Sequence, residues 1–301
     1  MRRFMPSSGA MGPCEGILTA MVTPFGAGGE LDLDAAVALG RHLLANGSHG
    51  LVVGGTTGES ATLSDAEQGE LARTMAAELG DEAAIVAGTG SNDTRHAVHL
   101  TEQAVEAGAH AVLSVTPYYN KPSRRGLVAH FSAVAEAAQG RPVILYNIPG
   151  RTALNMPPDL LAELAQIDGI EAVKQANHDD LQPIDGLKVL AGDDPILARC
   201  LDMGGTGGIC VSSHVVGNEM RRIFDEPEHR AEIDATLRDV YAVLFCTASP
   251  TPVKTALKLL GHEVGGLRLP LVDATDEERE LIRGVLERHS LLGAQEPART
   301  G

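Results

Sequence analysis

Lys174 is the residue of this chain whose surroundings most strongly suggest covalent chemistry. It lies in the apolar run GIEAVKQA, residues 169–176, which is typical of a buried β-strand. A low-dielectric environment penalises an ammonium ion, so burial favours the uncharged amine. An uncharged amine attacks a carbonyl carbon and forms a Schiff base. The alternative is a lysine on an edge strand whose charged end reaches solvent.

Length and charge exclude several classes of partner. The chain has 301 residues and a formal net charge of −16, with 40 acidic against 24 basic residues. This excess disfavours nucleic acid and anionic membrane surfaces as partners. No stretch reaches the roughly 18 unbroken apolar residues of a membrane span. A small anionic substrate remains possible, because one local arginine can outweigh a distant net charge.

Residues with redox or metal-binding chemistry show no recognisable spacing. Cys14, Cys200, Cys210 and Cys246 form no CxxC pair, which predicts free thiols in a reducing compartment and a cytoplasmic protein. The eleven histidines form no HxH or HExxH pattern, and neither GxxxxGK[ST] nor GxGxxG occurs. We therefore expect no metal and no nucleotide cofactor.

Eight short apolar segments recur at a regular interval, each followed by a segment with helical periodicity. The predicted strands cover residues 16–22, 50–53, 84–87, 111–115, 142–146, 170–174, 187–191 and 208–211. Eight such units fit a closed (β/α)₈ TIM barrel of the α/β class better than an open sheet. We also expect a short helix near Asp180, after the sixth strand.

The strand signal ends near residue 227, where an all-helical region begins. Helices are predicted over residues 228–246, 251–260 and 276–292, as a three-helix appendage to the barrel. The predicted division is a disordered tail at 1–13, a catalytic barrel at 14–226, the helical region at 227–292 and a disordered tail at 293–301.

Polar clusters follow several strands at their carboxyl ends, where such barrels place their chemistry. The clusters are GGTTGES at 54–60, TPYYNKP at 116–122, YNIPGRT at 146–152 and GDD at 192–194. Glycines admit a close approach of the backbone, and the hydroxyls of Thr56 and Thr57 suit a carboxylate or a phosphate. The Arg151 guanidinium could hold a second carboxylate through two parallel hydrogen bonds. An ordinary βα turn and a surface ion pair are the respective alternatives. Lys188 is the rival nucleophile, but it begins its strand.

In order and spacing, these clusters together with Lys174 resemble the dihydrodipicolinate synthase family of lysine-dependent class I aldolases. The resemblance covers about residues 16–292 and includes PTPVK at 250–254 and LRLP at 267–270. It implies that Lys174 forms a Schiff base with pyruvate, whose carboxylate Thr56 and Thr57 bind. It implies that Tyr146 is the general acid and base, and that Thr56 relays protons between Tyr146 and Tyr119 of a neighbouring subunit.

The resemblance also implies the second substrate and the assembly. Arg151 would bind the carboxylate of L-aspartate 4-semialdehyde, and the backbones of Gly192 and Ile209 would line the pocket. The product would be 4-hydroxy-tetrahydrodipicolinate, the first committed intermediate of diaminopimelate and lysine biosynthesis. The family usually forms homotetramers built from two tight dimers, and it needs no metal or cofactor.

This sequence departs from the family pattern at several positions. Gln175 stands where an acidic residue usually follows the lysine. Lysine-inhibited members carry two histidines just after the first motif, where this chain has Asp65 and Gln68, and a glutamate where it has His96. The ammonium group of a bound lysine would lose a carboxylate partner there, which predicts weak or absent inhibition by lysine.

Two other functions are compatible with parts of this pattern. N-acetylneuraminate lyases and keto-deoxy sugar acid aldolases share the Schiff-base lysine and the pyruvate half of the site. Their second substrate is a polyol without the carboxylate that Arg151 would bind. A barrel that binds a keto acid without turnover is the remaining alternative, and the three hydroxyl-bearing residues Thr56, Tyr119 and Tyr146 disfavour it.

Overall fold

The computed structural model describes residues 11–292, in which eight parallel strands pair in chain order and close into a barrel. Parallel pairing of the first strand with the eighth completes the cylinder. The strands are β1 Gly16–Ala20, β2 Gly50–Val53, β3 Ala84–Gly88, β4 Ala111–Val115, β5 Val143–Asn147, β6 Ile170–Gln175, β7 Lys188–Ala191 and β8 Gly207–Cys210. The predicted (β/α)₈ barrel is confirmed, with strand ends within two residues of the predicted ones.

Helices follow most strands, and several of the longer helices begin at a side chain that caps them. The helices are α1 Leu33–Ala45, α2 Asp65–Leu79, α3 Thr94–Glu106, α4 Arg124–Ala137, α5 Pro149–Thr152, α6 Pro158–Leu164, α7 Leu197–Asp202, α8 Gly217–Asp225, α9 Arg230–Thr236, α10 Arg238–Val243, α11 Thr251–Leu259 and α12 Asp276–Arg288. The Asp32 carboxylate accepts from the Ala35 amide at the start of α1. Ser64 and Glu67 form a capping box at the start of α2. These local contacts satisfy amide groups that the helix itself leaves unpaired.

The barrel core is aliphatic, as the scarcity of aromatic residues predicts. All residues of β1, β2, β5 and β8 are buried. Burial on both faces is characteristic of a parallel sheet whose outer face is covered by helices. Most strands therefore consist largely of valine, isoleucine, leucine and alanine, without regular alternation of polar and apolar residues.

Polar contacts join the first strand to the segment after the eighth, where the barrel closes. The Thr19 hydroxyl donates to the Ser213 hydroxyl at 2.8 Å and lies 2.6 Å from the hydroxyl of Ser48. The Val22 amide donates to Nε2 of His214 at 3.1 Å, and Nδ1 of the same ring donates to the Val211 carbonyl at 2.8 Å. His214 thus uses both ring nitrogens in its neutral form.

The prediction of a short helix near Asp180 is wrong. Residues 176–187 form turns and bends, with one isolated bridge between Ile184 and Leu187. The Asp180 carboxylate accepts from the side-chain amides of Asn155 at 2.6 Å and Asn177 at 2.9 Å. Side-chain hydrogen bonds of this kind compete with helical ones. Pro183 adds a second obstacle, since it disfavours helical geometry in the residue before it.

The helix predicted over 228–246 is two short helices, α9 and α10, so the C-terminal region has four helices among the described residues and not three. They are separated at Leu237, which has φ −99° and ψ 0°. The Thr236 hydroxyl donates to the Ile233 carbonyl at 2.7 Å and competes with the bond that would continue the helix. The helical composition of the region is confirmed.

The predicted domain boundaries stay a prediction. Within the described residues the barrel and the C-terminal helices are in direct contact. The predicted disordered tails, 1–13 and 293–301, lie outside the described residues apart from 11–13. Across residues 11–292 no helix has the length and apolar character needed to cross a membrane. The four cysteines are free thiols, as predicted; Cys14, Cys200 and Cys210 are buried and Cys246 is exposed.

His214 predicts a specific loss of stability in acid. Burial lowers the pKa of His214 to about 4, whereas histidine in an unfolded chain has a pKa near 6.5. The unfolded chain therefore gains the proton first as the pH falls, and stability present above pH ~6.5 is lost as the pH approaches ~4. His214→Gln preserves one acceptor and one donor but does not titrate. Between pH 7 and 5 the wild type should lose about 2 kcal/mol more stability than this variant, as measured by urea unfolding.

The exposed His229 provides a matched control for this measurement. His229→Gln should keep the pH dependence of the wild type. Equal losses of stability in the wild type and in His214→Gln would contradict the assignment of this acid sensitivity to His214.

Candidate active site

Lys174 and Tyr146 are in contact at the carboxyl ends of two adjacent strands. Their Cα atoms are register partners in the β5–β6 pairing. The Lys174 Nζ lies 4.3 Å from the centroid of the Tyr146 ring. The two residues are 6% and 5% exposed, respectively. The structure therefore places an amine against a phenol ring at the rim of the barrel, almost out of contact with solvent.

The environment of Lys174 differs from that of the other buried lysine. Lys254 is fully buried and ion-paired with Glu59, with 2.6 Å between Nζ and the carboxylate. Within residues 11–292, no carboxylate lies within ion-pair distance of Lys174. Lys188, the rival nucleophile, forms an ion pair with Glu15 at the opposite end of the barrel. Among these amines, Lys174 alone combines burial with the lack of a counter-ion, which is the setting that favours nucleophilic chemistry.

The segment 54–60 after β2, here called the threonine loop, is a tight structure. Its backbone adopts left-handed conformations at Gly54 (φ 61°) and Glu59 (φ 56°). A Cβ atom added to Gly88 would lie 2.3 Å from the Gly54 carbonyl oxygen, so only glycine fits beside the loop. Thr57 is buried, while Thr56 is exposed and faces the cavity. The loop thus presents one hydroxyl to the cavity and encloses the other.

Tyr146 is fixed through its backbone by the neighbouring strand segment. Its carbonyl oxygen accepts from the Thr116 amide at 3.0 Å and from the Thr116 hydroxyl at 2.9 Å. The next residue, Asn147, is buried, and its side chain bonds with the Asn155 side chain at 2.8 Å and the Met156 amide at 3.0 Å. These contacts hold the end of β5 and leave Tyr146 little freedom to move.

Arg151 lies in the short helix α5, which the sequence analysis did not identify as a helix. The Thr152 hydroxyl donates to the carbonyls of Ile148 at 3.1 Å and Leu154 at 2.8 Å, which fixes the turn. The Arg151 side chain is exposed and borders a cavity of about 470 Å³. Its guanidinium makes no ion pair with any described carboxylate. The group is therefore available to an anion that enters from solvent.

The cavity brings together some of the predicted site residues and omits others. Thr56, Tyr146 and Arg151 line it, together with Tyr118 and residues of the C-terminal region such as Ser249 and Leu271. The remaining predicted residues are not among its lining: Thr57, Lys174, Gly192, Ile209 and Tyr119. Lys174 is connected to the cavity through the ring of Tyr146, which it contacts.

Gly192 directly follows β7, which pairs with β6, and Ile209 lies within β8, on the other side of β7. The Gly192 amide donates to the Gln175 carbonyl at 2.8 Å, and a Cβ at Gly192 would lie 2.7 Å from the Gln175 carbonyl carbon. The end of β8 is fixed by Asp194, whose carboxylate accepts from the amides of Val211 at 2.9 Å and Ser212 at 2.7 Å. Burial raises the pKa of Asp194, and the hydrogen bonds oppose that effect.

Tyr119 is exposed and is not among the residues that line the cavity of its own chain. Its side chain is 88% exposed, and its φ of 73° is unusual for a residue with a side chain. Tyr118 is half-exposed beside it. An exposed tyrosine in a backbone conformation that disfavours bulky residues suggests a contact outside this chain.

Gln175, which follows the lysine, is built into a polar network. Its side-chain oxygen accepts from the Asn147 side chain at 3.0 Å and from the Asn177 amide at 2.9 Å. Its Nε2 atom is buried without a hydrogen-bond partner among the described residues. The neutral amide thus occupies the position where the family usually has an acidic residue, and it joins β5 to the loop after β6.

Two groups that support the site are not evident from the sequence motifs alone. Glu59 and Lys254 form the buried ion pair between the threonine loop and α11, and Asp194 fixes the end of β8. A signal was present, because charged residues in the motifs GTTGES, PTPVK and GDD are unusual inside a core. Which partners these charges meet depends on the fold and could not be read from local spacing.

Metal-ligating side chains are not clustered in the part of the chain that the structure describes. No group of three or more histidine, cysteine, aspartate or glutamate residues there could hold a metal ion. The cavity is lined by hydroxyl-bearing residues, by Gln68, by His96 and by Arg151, and also by Glu59, whose carboxylate is paired with Lys254. The hydroxyls, the amide and the guanidinium suit the recognition of carboxylates.

Comparison with known sequences gives a consistent result. The profile of the "Dihydrodipicolinate synthetase family" matches residues 13–289. A "4-hydroxy-tetrahydrodipicolinate synthase" from Desulforudis audaxviator is 44% identical over 288 residues, which cover 92% of this chain and 98% of the relative.

Solved structures of the same family share the fold. The dihydrodipicolinate synthase of Cyanidioschyzon merolae, described with lysine bound, has a TM-score of 0.90 at 38% identity and covers 94% of this chain and 100% of its own. A variant described as the first monomeric dihydrodipicolinate synthase has a TM-score of 0.87 at 37% identity, and covers 92% of this chain and 97% of its own.

Proposed function

This chain belongs to the dihydrodipicolinate synthetase family, and we propose that it condenses pyruvate with L-aspartate 4-semialdehyde to give 4-hydroxy-tetrahydrodipicolinate. This is the activity of a lyase of the class I aldolase type, at the first committed step of diaminopimelate and lysine biosynthesis. The observation on which the proposal depends is the position of Lys174, buried without a counter-ion against Tyr146 at the barrel rim.

The Lys174 amine begins the reaction by attacking the ketone carbon of pyruvate. The carbinolamine loses water and becomes an iminium, which withdraws electrons from the neighbouring methyl group. Loss of one methyl proton then gives an enamine, whose carbon attacks the aldehyde carbon of the semialdehyde. Attack of the semialdehyde amine on the former ketone carbon closes the ring and expels the Lys174 amine unchanged.

Tyr146 is the proposed general acid and base for these proton transfers. Its ring contact with Lys174 supports this role, because the phenol and the forming iminium must share one small space. Thr56 relays protons between Tyr146 and Tyr119. The hydroxyls of Thr56 and Thr57 also bind the pyruvate carboxylate, and the backbones of Gly192 and Ile209 line the pocket on the other side of Lys174.

Arg151 provides selectivity for the second substrate. Its exposed guanidinium at the cavity is suited to bind the semialdehyde carboxylate through two parallel hydrogen bonds. The sister aldolases act on polyols, which lack this carboxylate. An assay that offers aspartate semialdehyde and N-acetylneuraminate side by side therefore separates the two activities.

The proposed assembly places Tyr119 in the site of a neighbouring subunit. The exposure of this tyrosine supports a dimer, and the proposed homotetramer is a pair of such dimers. A solved relative is described as a monomeric variant, so the assembly needs its own test. The proposed location is the cytoplasm, in keeping with four free thiols.

Replacement of Lys174 by alanine should abolish turnover, because it removes the amine that forms the Schiff base, and the other buried lysine, Lys254, is ion-paired with Glu59. Wild-type protein treated with pyruvate and borohydride should carry one reduced pyruvate adduct on Lys174, located by peptide mass spectrometry. Lys188→Arg serves as the control: it retains the ion pair with Glu15 and should keep both activity and the adduct. Full activity in Lys174→Ala, or an adduct on another lysine, would refute the proposal.

Mixing two inactive variants tests whether Tyr119 acts across a subunit interface. Lys174→Ala and Tyr119→Phe should each lose activity, the second by about 10²–10⁴-fold if its hydroxyl moves protons. A mixed dimer contains one site with both Lys174 and Tyr119 intact only if the tyrosine comes from the neighbour. Activity should return after the variants are unfolded together and refolded. No recovery in verified mixed dimers would place Tyr119 in its own subunit's site.

Lysine should inhibit this protein weakly or not at all. The Asp65 carboxylate is already paired, since it lies 2.9 Å from Nε2 of His96 and 3.7 Å from Nε2 of His99. Position 96 carries this histidine and not a glutamate. Initial rates should stay nearly constant as lysine rises to low-millimolar concentrations. His96→Glu returns a carboxylate to this position and should increase the inhibition. A clear drop in the wild-type rate at low-millimolar lysine would contradict this prediction.

A further inference from the structure

A buried ion pair links the threonine loop to the C-terminal helices. The side chains of Glu59 and Lys254 are both 0% exposed, with 2.6 Å between the Lys254 Nζ and the carboxylate. Nζ also donates to the Gly266 carbonyl at 2.7 Å and lies 4.3 Å from the centroid of the Phe25 ring. The second carboxylate oxygen accepts from the Arg268 amide at 3.0 Å. Glu59 is therefore held by two separate segments of the C-terminal region.

Such a pair is an expensive way to stabilise a core. Removing two charges from water carries a large desolvation penalty, and apolar side chains of similar size often stabilise a fold at least as well. Burial lowers the pKa of Lys254, and Glu59 opposes that effect as the partner carboxylate. The ion pair fixes the orientation of both side chains more strictly than apolar packing would, because the carboxylate and the ammonium group must meet at 2.6 Å.

The backbone of Glu59 transmits this constraint to the two threonines. Its left-handed φ of 56° closes a turn in which the Glu59 amide donates to the Thr56 carbonyl at 3.1 Å. On the other side of the loop, the Thr23 hydroxyl donates to the Gly58 carbonyl at 2.7 Å. A shift of the Glu59 backbone would therefore move the peptide groups around Thr56 and Thr57, and the ion pair with Lys254 opposes such a shift.

We propose that Glu59 and Lys254 are positioning residues that hold the threonine loop in the conformation that binds the carboxylate of a short 2-oxo acid. The inference depends on the proposed function, since it assigns the loop the task of binding the pyruvate carboxylate. In this role the C-terminal helices determine how tightly the first substrate binds. Glu59 lines the cavity and Lys174 does not, so the chemical steps at Lys174 are affected little.

The test compares the double variant Glu59→Gln/Lys254→Met with the wild type. Removing both charges together avoids a single buried charge and preserves side-chain size, so the fold should survive. The KM for pyruvate, and the pyruvate concentration that half-saturates borohydride trapping on Lys174, should both rise about tenfold or more, the loss expected from one misdirected charge-assisted hydrogen bond. The kcat at saturating pyruvate should change much less.

Two further variants separate positioning from stability. Lys258, on the same helix, forms an ion pair with Asp273 at the surface, with 2.8 Å between Nζ and the carboxylate. Lys258→Met removes that pair and should leave both pyruvate constants unchanged. Glu59→Gln alone leaves the Lys254 charge buried and should raise the pyruvate KM at least as much as the double variant. Far-UV circular dichroism and thermal melting verify that each protein is folded at the assay temperature.

The outcomes distinguish the inference from the function it depends on. If the wild type forms no adduct on Lys174, the proposed function and this inference both fail. If the wild type forms the adduct and the folded double variant keeps the wild-type pyruvate KM, only the positioning role fails and the pair is structural. A drop in kcat with an unchanged KM would also overturn it, because the pair would then act on the chemistry and not on binding.

Discussion

Burial of Lys174 without a carboxylate partner is the constraint on which the site depends. An ion removed from water costs several kcal/mol unless other groups replace its hydration. The nearby face of Tyr146 offers a cation–π interaction of about 0.5–2 kcal/mol, which offsets only part of that cost. Stability elsewhere in the barrel must offset the remainder of that cost. Lys254 differs from Lys174, because its ammonium group is paired with Glu59 and donates to the Gly266 carbonyl. These partners replace its hydration and allow it to be fully buried.

The register of the barrel strands determines which residues lie beside Lys174. Tyr146 and Lys174 are partners in one strand pairing, and Lys174 and Leu190 are partners in the next. A shift of one residue would turn Lys174 toward the outer helices and bring Gln175 to the interior, because side chains alternate along a strand. Closure of β1 on β8 prevents such a shift, since every strand has neighbours on both sides. The polar contacts of Thr19 and His214 at that seam therefore help to maintain the site, although they are not part of it.

Much of the fold could be predicted because its signals are local. Apolar runs of four to six residues mark the strands, and capping side chains such as Asp32 and Ser64 mark helix starts. The segment after β6 was predicted wrongly because its structure depends on Asn155, which lies 25 residues before Asp180 in the chain. The end of α9 depends on one hydroxyl, at Thr236, whose bond to its own backbone has no periodic signature.

The candidate site was predictable to the extent that motifs imply chemistry. Sequence order placed Lys174, Tyr146 and Arg151 at strand ends, and the structure brings the first two into contact and the last two to one cavity. The roles of these residues stay proposals. Glu59 and Lys254 were visible in the sequence as charged residues of two motifs, but nothing in local spacing joins positions that are 195 residues apart. Long-range charge pairing is a property of the folded chain, and only the three-dimensional structure reveals it.

The C-terminal helices cannot be understood as a separate appendage. Lys254 of α11 and Arg268 in the segment after it both lie 4.3 Å from the Phe25 ring, just after β1, and both contact Glu59. A Cβ at Gly265 would lie 1.7 Å from the Phe25 carbonyl oxygen, so the two backbones touch there. Arg268 also binds Glu67 of α2 and lowers the pKa of that carboxyl to about 2. Because these contacts converge on the threonine loop, separating the barrel from the C-terminal helices would expose a buried charge beside the cavity. The two regions should therefore unfold together, because Ser249, Pro270 and Leu271 of the C-terminal region line the same cavity as residues that follow the barrel strands.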